Sequence, residues 1–238
     1  MSGHNKWSQI KHKKAKSDAK KGKAFTSLIK EITMSARAHG GDPANNAHLR
    51  LLIEKAKEIN MPKENSDRAI KRGTGELPGV HYEAMRYEGY GPHGIAIIVD
   101  ALTDNKNRTV ANFRRMFSEN NGSLGDTGTV SWMFKQCGVL RVPQNGLSED
   151  DLLEKLIDFD VQDINLQDGT FSIICDAKSL DAVKKALEAE KLKVESAELE
   201  WVAKDKMELS EADSESVINL LTALDDHDDV QHVYTNLA

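Results

Sequence analysis

The sequence predicts an α+β protein of three domains: an N-terminal helical domain and two α+β domains, the third of them ferredoxin-like and inserted in the second. Three observations predict this fold class. Apolar residues recur at helical spacing as far as about residue 75, strand-like patterns begin beyond Pro78, and residues 137–203 have the order strand-helix-strand-strand-helix-strand. The 238 residues exceed a typical domain of about 100–200 residues.

The N-terminal part is predicted to contain three helices. Apolar residues recur at helical spacing from Phe25 onward, and His39-Gly40-Gly41 supplies a helix stop. Asp42 and Pro43 are predicted to be the N-cap and first residue of a second helix. A short third helix is expected over about 66–72, followed by Gly73-Thr74-Gly75.

A hairpin and a helix are predicted next. Residues 82–90 and 95–99 have strand patterns, and turn-forming residues separate them. A helix is expected from about Arg108 to Asn120, where Asn121-Gly122 ends it. Another strand is expected near Val130–Phe134.

The ferredoxin-like segment has a strand or helix pattern for each of its six elements. We expect a strand over Val139–Val142, a helix opened by Ser148 and Asp151, strands over Val161–Leu166 and Phe171–Cys175, a helix over Leu180–Lys191 and a strand over Val194–Val202.

A last helix at about 212–224 and a last strand at Val230–Tyr234 remain. The earlier strands of residues 82–134 lack partners, so we expect the chain to return to them after the ferredoxin-like segment. The predicted domains are therefore residues 1–78, residues 79–135 plus 204–238, and the inserted residues 136–203.

Charge is distributed very unevenly along the chain. The formal net charge is -6 and the isoelectric point about 5.8. Residues 1–75 nevertheless carry 17 Lys and Arg against 7 Asp and Glu, whereas the remainder carries 15 against 31. The sequence thus combines a basic module with an acidic body, and local charge is a better guide to partners than the sum.

Composition and cysteine use favour a cytoplasmic protein. Cys137 and Cys175 have neither the number nor the spacing of a disulfide framework or a zinc site, and packing is their expected role. The lysine-rich N-terminus has no apolar stretch of a signal peptide behind it, and no run approaches the roughly 18 apolar residues of a spanning helix. No membrane partner is expected.

The basic arm, residues 1–23, gives the strongest functional signal. It holds eight lysines and one acidic residue. Such a density favours contact with nucleic-acid phosphates, largely independent of base sequence. Trp7 and His12 are expected to stack on a base or ribose, although Trp7 could equally pack on the first helix, and a solvated tail is the alternative for the whole arm. The predicted contacts are Lys6, Trp7, Lys11, His12, Lys13, Lys14, Lys16, Lys20, Lys21 and Lys23.

Two further basic clusters extend this candidate site. Arg72, with Arg68 and Lys71, lies at the end of the third helix, where cations also complement the helix dipole. Lys106 and Arg108 lie near the start of the next helix, where exposed amides attract anions. Asp104 or Asn107 would cap that helix, so a nucleic-acid-facing loop and a plain capped turn both remain open.

No motif indicates an enzyme, and we expect no catalytic residues, metal, cofactor or small-molecule substrate. The eight histidines lack ligand spacing, and no nucleophile elbow is present. The glycine-rich stretch Gly122–Gly128 follows a helix and lacks the ending of a nucleotide-binding loop. The acidic run Asp225–Asp229 is interpreted as a solvated loop.

Several motifs resemble the YebC/PmpR family of probable transcriptional regulators, which includes mitochondrial translational activators of cytochrome c oxidase. The resemblance covers the whole chain. It rests on Gly3-His4-Asn5-Lys6-Trp7-Ser8, Lys21-Gly22-Lys23-Ala24-Phe25-Thr26, Tyr87-Glu88-Gly89-Tyr90-Gly91-Pro92, Leu102-Thr103-Asp104-Asn105, Asn107-Arg108-Thr109 and Leu124-Gly125. It implies three domains, with the third inserted in the second, and no catalytic activity.

Two functional hypotheses follow. One is a DNA-binding transcriptional regulator, and the other is a translation factor that binds ribosomal RNA and assists elongation. The sequence lacks a recognition helix with Arg, Asn or Gln at its exposed start, which direct reading of bases requires. That absence favours RNA, although an arm in a minor groove would still serve DNA.

Overall fold

The computed structural model of the chain describes Trp7, the backbone of residues 18–21, and residues 22–238. Over these residues the fold is α+β, with seven α-helices and two four-stranded antiparallel sheets, which confirms the predicted fold class. None of the described helices is both long and apolar enough to cross a bilayer.

The N-terminal part consists of helices α1 (Asp18–His39), α2 (Ala47–Glu58) and α3 (Lys63–Thr74). Helix α1 begins seven residues before the predicted Phe25, because Ala and Lys, both good helix formers, extend the helix toward Asp18. Its apolar face packs against α2 and α3 around Ile32, Leu49 and Ala69, which are fully buried.

The predicted N-cap of α2 at Asp42 is wrong. The cap is Asn46, whose Oδ1 accepts a hydrogen bond from the amide of Leu49 at 2.9 Å. The Asn46 side-chain amide also donates to the carbonyls of Ser35 and Gly40, so one buried side chain joins the ends of two helices. Asp42 instead accepts from the amide of Ala44 in the preceding turn.

The remaining elements are, in chain order, β1 (Glu83–Tyr90), β2 (Ala96–Thr103), α4 (Lys106–Glu119), β3 (Ser123–Gly125), β4 (Phe134–Pro143), α5 (Glu149–Leu156), β5 (Val161–Gln167), β6 (Thr170–Asp176), α6 (Leu180–Ala189), β7 (Ser196–Ala203), α7 (Glu211–Asp226) and β8 (Val230–Thr235). Short 3-10 helices occupy Pro92–Gly94 and Ser131–Met133.

The first sheet has the strand order β3-β1-β2-β8, so the last strand of the chain pairs with an early one. Helices α4 and α7 cover one face of this sheet and bury Phe113, Phe117 and Leu220 against Ile97. The other face buries Ile98 beside residues of β7 in the second sheet.

The second sheet has the order β5-β6-β4-β7, which is the ferredoxin-like arrangement. A capping box between Ser148 and Asp151 opens α5, as the sequence predicts. Apolar residues of α5 and α6 meet the sheet at Phe171 and Ile173, both fully buried.

The strand predicted at Val130–Phe134 is wrong. The amides of Val130 and Ser131 bond to the buried carboxylate of Glu88 rather than to a neighbouring strand, and the segment forms a 3-10 turn. Strand β4 begins only at Phe134, which pairs with Ala203.

Candidate nucleic-acid interface

Most of the predicted arm contacts fall outside the described residues, namely Lys6, Lys11, His12, Lys13, Lys14 and Lys16. The backbones of Lys20 and Lys21 belong to the first turns of α1. Lys23 follows on the same helix and is half-buried. Of the predicted arm contacts, Lys20, Lys21 and Lys23 are therefore part of helix α1.

Trp7 lies in the core beside the first sheet. Its side chain is only 3% exposed, and it belongs to the same buried cluster as Tyr87 and Leu237. A ring buried in this way has no free face for a base. The expected stacking role of Trp7 is therefore not supported by the structure, because burial of its large apolar surface is the stronger effect.

Lys106 and Arg108 are exposed but already have acidic partners. The Nζ atom of Lys106 lies 2.6 Å from Glu83 Oε2, and Nη2 of Arg108 lies 2.7 Å from Asp104 Oδ1 and 2.9 Å from Asp229 Oδ2. The helix cap here is Asn105, rather than either predicted residue, and its side chain accepts from the amide of Arg108. This region has the geometry of a capped turn with local ion pairs.

The acidic run near the C-terminus is partly buried, so its interpretation as a solvated loop is wrong for Asp225 and Asp229. Asp229 accepts hydrogen bonds from Lys30, Arg108 and Thr109. Burial alone would raise the pKa of Asp229, but these three hydrogen bonds outweigh it and lower the pKa to about 2. Sequence patterns gave no sign of this contact, since its partners are 120 or more residues away.

A set of cations on the helical domain is exposed and, among the described residues, forms no ion pair. We call this set the basic face. It comprises Arg37, Arg50, Lys57, Lys63, Arg68, Lys71 and Arg72. Two other cations of the same domain differ from it, because Lys30 pairs with Asp229 and Lys55 with Glu198 in the α+β part. Arg72 thus belongs to this set, together with Arg68 and Lys71 on the same helix.

Helices α2 and α3 are joined by the short segment 59–62, as in a helix-turn-helix motif. In such motifs the exposed start of the second helix contacts base edges. Here that start exposes Lys63, but also the acidic Glu64 and Asp67. Carboxylates at these positions would be repelled by the phosphates that flank a major groove, so the start of α3 does not suit base readout. The cations of the basic face suit contact with the backbone instead.

A cleft of about 500 Å³ separates the helical domain from the two sheets. One ion pair spans the cleft, with 2.7 Å between Lys55 Nζ of the helical domain and Glu198 Oε1 of the second sheet. A second, with 2.6 Å between Arg141 Nη1 and Glu200 Oε1, joins β4 and β7 within that sheet. Burial raises the pKa of Glu31 nearby, and Lys55 offsets only part of this. These groups neutralise one another, and no cluster of His, Cys, Asp and Glu in the described part of the chain could hold a metal ion.

The fold and the site together define an α+β protein with a basic helical surface on an acidic body. The chain belongs to the TACO1/YebC family. Residues 5–76 match the model of the TACO1/YebC protein N-terminal domain, and residues 82–237 match that of the TACO1/YebC second and third domain. The resemblance seen in the sequence motifs is thereby confirmed.

Relatives of similar length support this assignment. The chain is 50% identical to a "probable transcriptional regulatory protein" of Desulfosudis oleivorans, over 99% of this chain and 96% of that protein. A protein of Chlorobium luteolum with the same description is 49% identical, over 100% and 95%. The crystal structure of a conserved hypothetical protein from Aquifex aeolicus matches with a TM-score of 0.85 and 41% identity, covering 94% of this chain and 93% of that one.

Proposed function

We propose that the chain is a non-enzymatic, cytoplasmic regulator of gene expression that binds nucleic acid through its N-terminal end. The observation that carries the proposal is the basic face: seven exposed cations without an acidic partner among the described residues, on a protein with a net charge of -6. The lysine-rich arm adjoins this face in sequence. Together they would contact successive phosphates of one backbone.

We also propose a domain organisation in which one domain binds nucleic acid and the other two have different roles. We propose that residues 1–78 form the binding domain, that residues 79–135 and 204–238 form one domain, and that residues 136–203 are inserted in it. The pairing of β8 with β2 supports these boundaries, because it brings the end of the chain back to the first sheet. All four strands of the second sheet come from one continuous segment, which also supports them. The two α+β domains would then position the binding domain or meet protein partners.

The names of the relatives favour a transcriptional regulator. We therefore propose first that the chain regulates transcription by binding DNA. A translation factor that binds ribosomal RNA is the second candidate. It is favoured by Glu64 and Asp67 at the exposed start of α3, which oppose base readout in a major groove.

The test measures binding to labelled DNA duplex and to structured RNA over a range of salt concentrations. Changing Arg68, Lys71 and Arg72 to glutamine should weaken binding to every sequence alike and reduce the salt slope by about 0.7–0.9 per lost contact. The matched control changes Lys185, Lys191 and Lys193, three exposed lysines of the inserted domain without ion pairs among the described residues, to glutamine. Equal slopes for the two triple variants would refute the role of the basic face.

Sedimentation of cell lysate distinguishes the two candidates. Salt-sensitive co-migration of the protein with ribosomes, lost in the Arg68, Lys71 and Arg72 variant, would support the translation factor. Absence of co-migration together with tight promoter binding would support the transcriptional regulator.

A further inference from the structure

One aromatic side chain outside the helical domain is exposed. Trp132 is 65% exposed, and it is the only Phe, Trp or Tyr of the described residues that is classed as exposed. The other two tryptophans differ, since Trp7 is buried and Trp201 is half-buried beneath the guanidinium of Arg86. An indole that is mostly exposed to water does not contribute the stabilisation that burial of its large apolar surface would give. The exposure of Trp132 therefore suggests a role other than packing.

The Trp132 ring is held in place rather than left free to rotate. Its Nε1–H donates to the carbonyl of Thr129 at 3.1 Å. The ammonium of Lys204 donates to the Trp132 carbonyl at 2.7 Å, which puts an exposed positive charge beside the same residue. Because these hydrogen bonds already restrain the ring and the backbone, the Trp132 side chain would lose less conformational entropy when a ligand binds.

The turn that carries Trp132 is itself anchored from inside the protein. The carboxylate of Glu88, only 2% exposed, accepts hydrogen bonds from the amides of Gly128 at 3.0 Å, Val130 at 2.9 Å and Ser131 at 2.8 Å. Burial alone would raise the pKa of Glu88, but the backbone hydrogen bonds outweigh it and lower the pKa. A buried charge thus preorganises an exposed ring.

The surroundings favour a base over a protein side chain as the partner. The other exposed large apolar residues are Leu51, Leu77, Val80, Leu153, Ile157 and Leu199. Of these, only Leu199 is on a strand adjoining the Trp132 turn, and it pairs with Gly138, four residues beyond the start of β4. A large contiguous apolar patch would mark a protein-interaction site, and these exposed residues give no sign of one around Trp132. A single flat ring beside a cation suits a stacked base and its phosphate.

We propose that Trp132 is a second nucleic-acid contact, which stacks on an unpaired base while Lys204 faces the adjoining phosphate. The proposal rests on the proposed function, because the basic face would supply most of the affinity. It deepens that function by specifying the ligand: a nucleic acid with an unstacked, single-stranded base. Duplex DNA would reach the basic face without using Trp132.

The test compares binding of single-stranded oligouridylate and oligodeoxyuridylate of about 16 nucleotides, and of a duplex, to four forms of the full chain. These are the wild type, Trp132→Ala, Trp132→Phe and the control Ile157→Ala, which removes an 80% exposed side chain from the inserted domain. Trp132→Ala should weaken single-strand binding about five- to a hundred-fold at every salt concentration, without changing the salt slope. Trp132→Phe should retain most of the affinity, and duplex binding should not change.

Two failures can be told apart. Salt-dependent single-strand binding that is equal in the wild type and in Trp132→Ala would overturn this inference alone, and would leave the exposed ring to a protein contact. The absence of any salt-dependent binding by the wild type would overturn the proposed function and the inference together. A stronger effect of Trp132→Ala on oligouridylate than on oligodeoxyuridylate, which differ only in the 2′-hydroxyl group, would assign the contact to RNA, and the reverse would assign it to DNA.

Discussion

The Nζ atom of Lys30 in α1 lies 2.8 Å from Oδ1 of Asp229 in the loop before β8, and both side chains are nearly inaccessible to solvent. The same ammonium donates to the carbonyls of Leu102 and Asp228. The second carboxylate oxygen of Asp229 accepts from Arg108 and Thr109. This satisfied network joins the helical domain to the first sheet, and it explains why a buried charge is tolerated there.

Replacing Asp229 with alanine should lower the free energy of unfolding by about 3–5 kcal/mol, because Lys30 would be left buried and unpaired. Urea denaturation measures the change. The control is Lys106→Met, which breaks the exposed ion pair with Glu83 and should cost less than about 1 kcal/mol. Equal effects of the two substitutions would show that the Lys30 contact contributes no more than a surface pair.

Acid should weaken the same contact. The pKa of Asp229 is about 2 in the folded protein and about 3.9 in an unfolded chain, so folding stabilises the ionised carboxylate. This contribution, about 2 kcal/mol, is fully present above about pH 5 and is lost as the pH falls through about 4 toward 2. Urea midpoints against pH should therefore fall more steeply for the wild type than for Asp229→Asn, and parallel curves would contradict the assignment.

Glu88→Gln should loosen the turn that carries Trp132. A carboxamide keeps one acceptor oxygen but turns an NH₂ group toward backbone amides, so charge-assisted hydrogen bonds worth about 1.5–3 kcal/mol are weakened. Hydrogen exchange at Gly128, Val130 and Ser131 should accelerate more than exchange in β6. Unchanged protection of these amides would mean that the turn holds its shape without the carboxylate.

Gly73→Ala tests the contact between α3 and α1. A Cβ atom at Gly73 would lie 2.5 Å from the Thr33 carbonyl and 2.7 Å from Ala36 Cβ, so the helices must separate, at a cost of about 1–3 kcal/mol. Gly22→Ala is the matched control, because a Cβ there meets nothing within 4 Å and should stabilise α1 by about 0.5–1 kcal/mol. Calorimetry should show melting temperatures shifted in opposite directions.

Trp7→Ala distinguishes packing from base stacking. Removal of a buried indole should lower the free energy of unfolding by about 3–5 kcal/mol. Trp7→Phe, which keeps an aromatic ring, should cost less. If Trp7→Ala instead left stability unchanged and weakened binding to single strands, the role of Trp7 would be base stacking rather than packing.

Regular elements could be predicted from the sequence because their signals are local. The Ser148 capping box and the alternating apolar residues of Phe171–Cys175 depend only on neighbours in the chain, and the helix and strands that they predicted are present. The α+β class follows from the order of such elements. The strand predicted at Val130–Phe134 is wrong because a distant side chain, Glu88, decides the structure of the turn at Ser131.

The candidate site was harder to predict, because it depends on which charges find partners. Sequence alone did not separate Arg72, which is unpaired among the described residues, from Arg108, which has two carboxylates within 3 Å. Trp7 had two open interpretations, and only the tertiary packing favours one of them. Trp132 was not singled out at all, because exposure of an apolar residue has no signature in its neighbours.

The pairing of β8 with β2 also constrains how the protein can be made. Strand β2 ends at Thr103, yet its partner begins at Val230, so a ribosome must add more than a hundred residues before the first sheet can close. The four strands of the second sheet are complete by Ala203 and can associate earlier. The ion pair between Lys30 and Asp229 likewise cannot form until Asp229 has been synthesised. In a nascent chain, the second sheet should therefore form before the first sheet, whose strands come from both sides of it in the sequence. Until β8 has been synthesised, strand β2 would remain uncovered and accessible to chaperones.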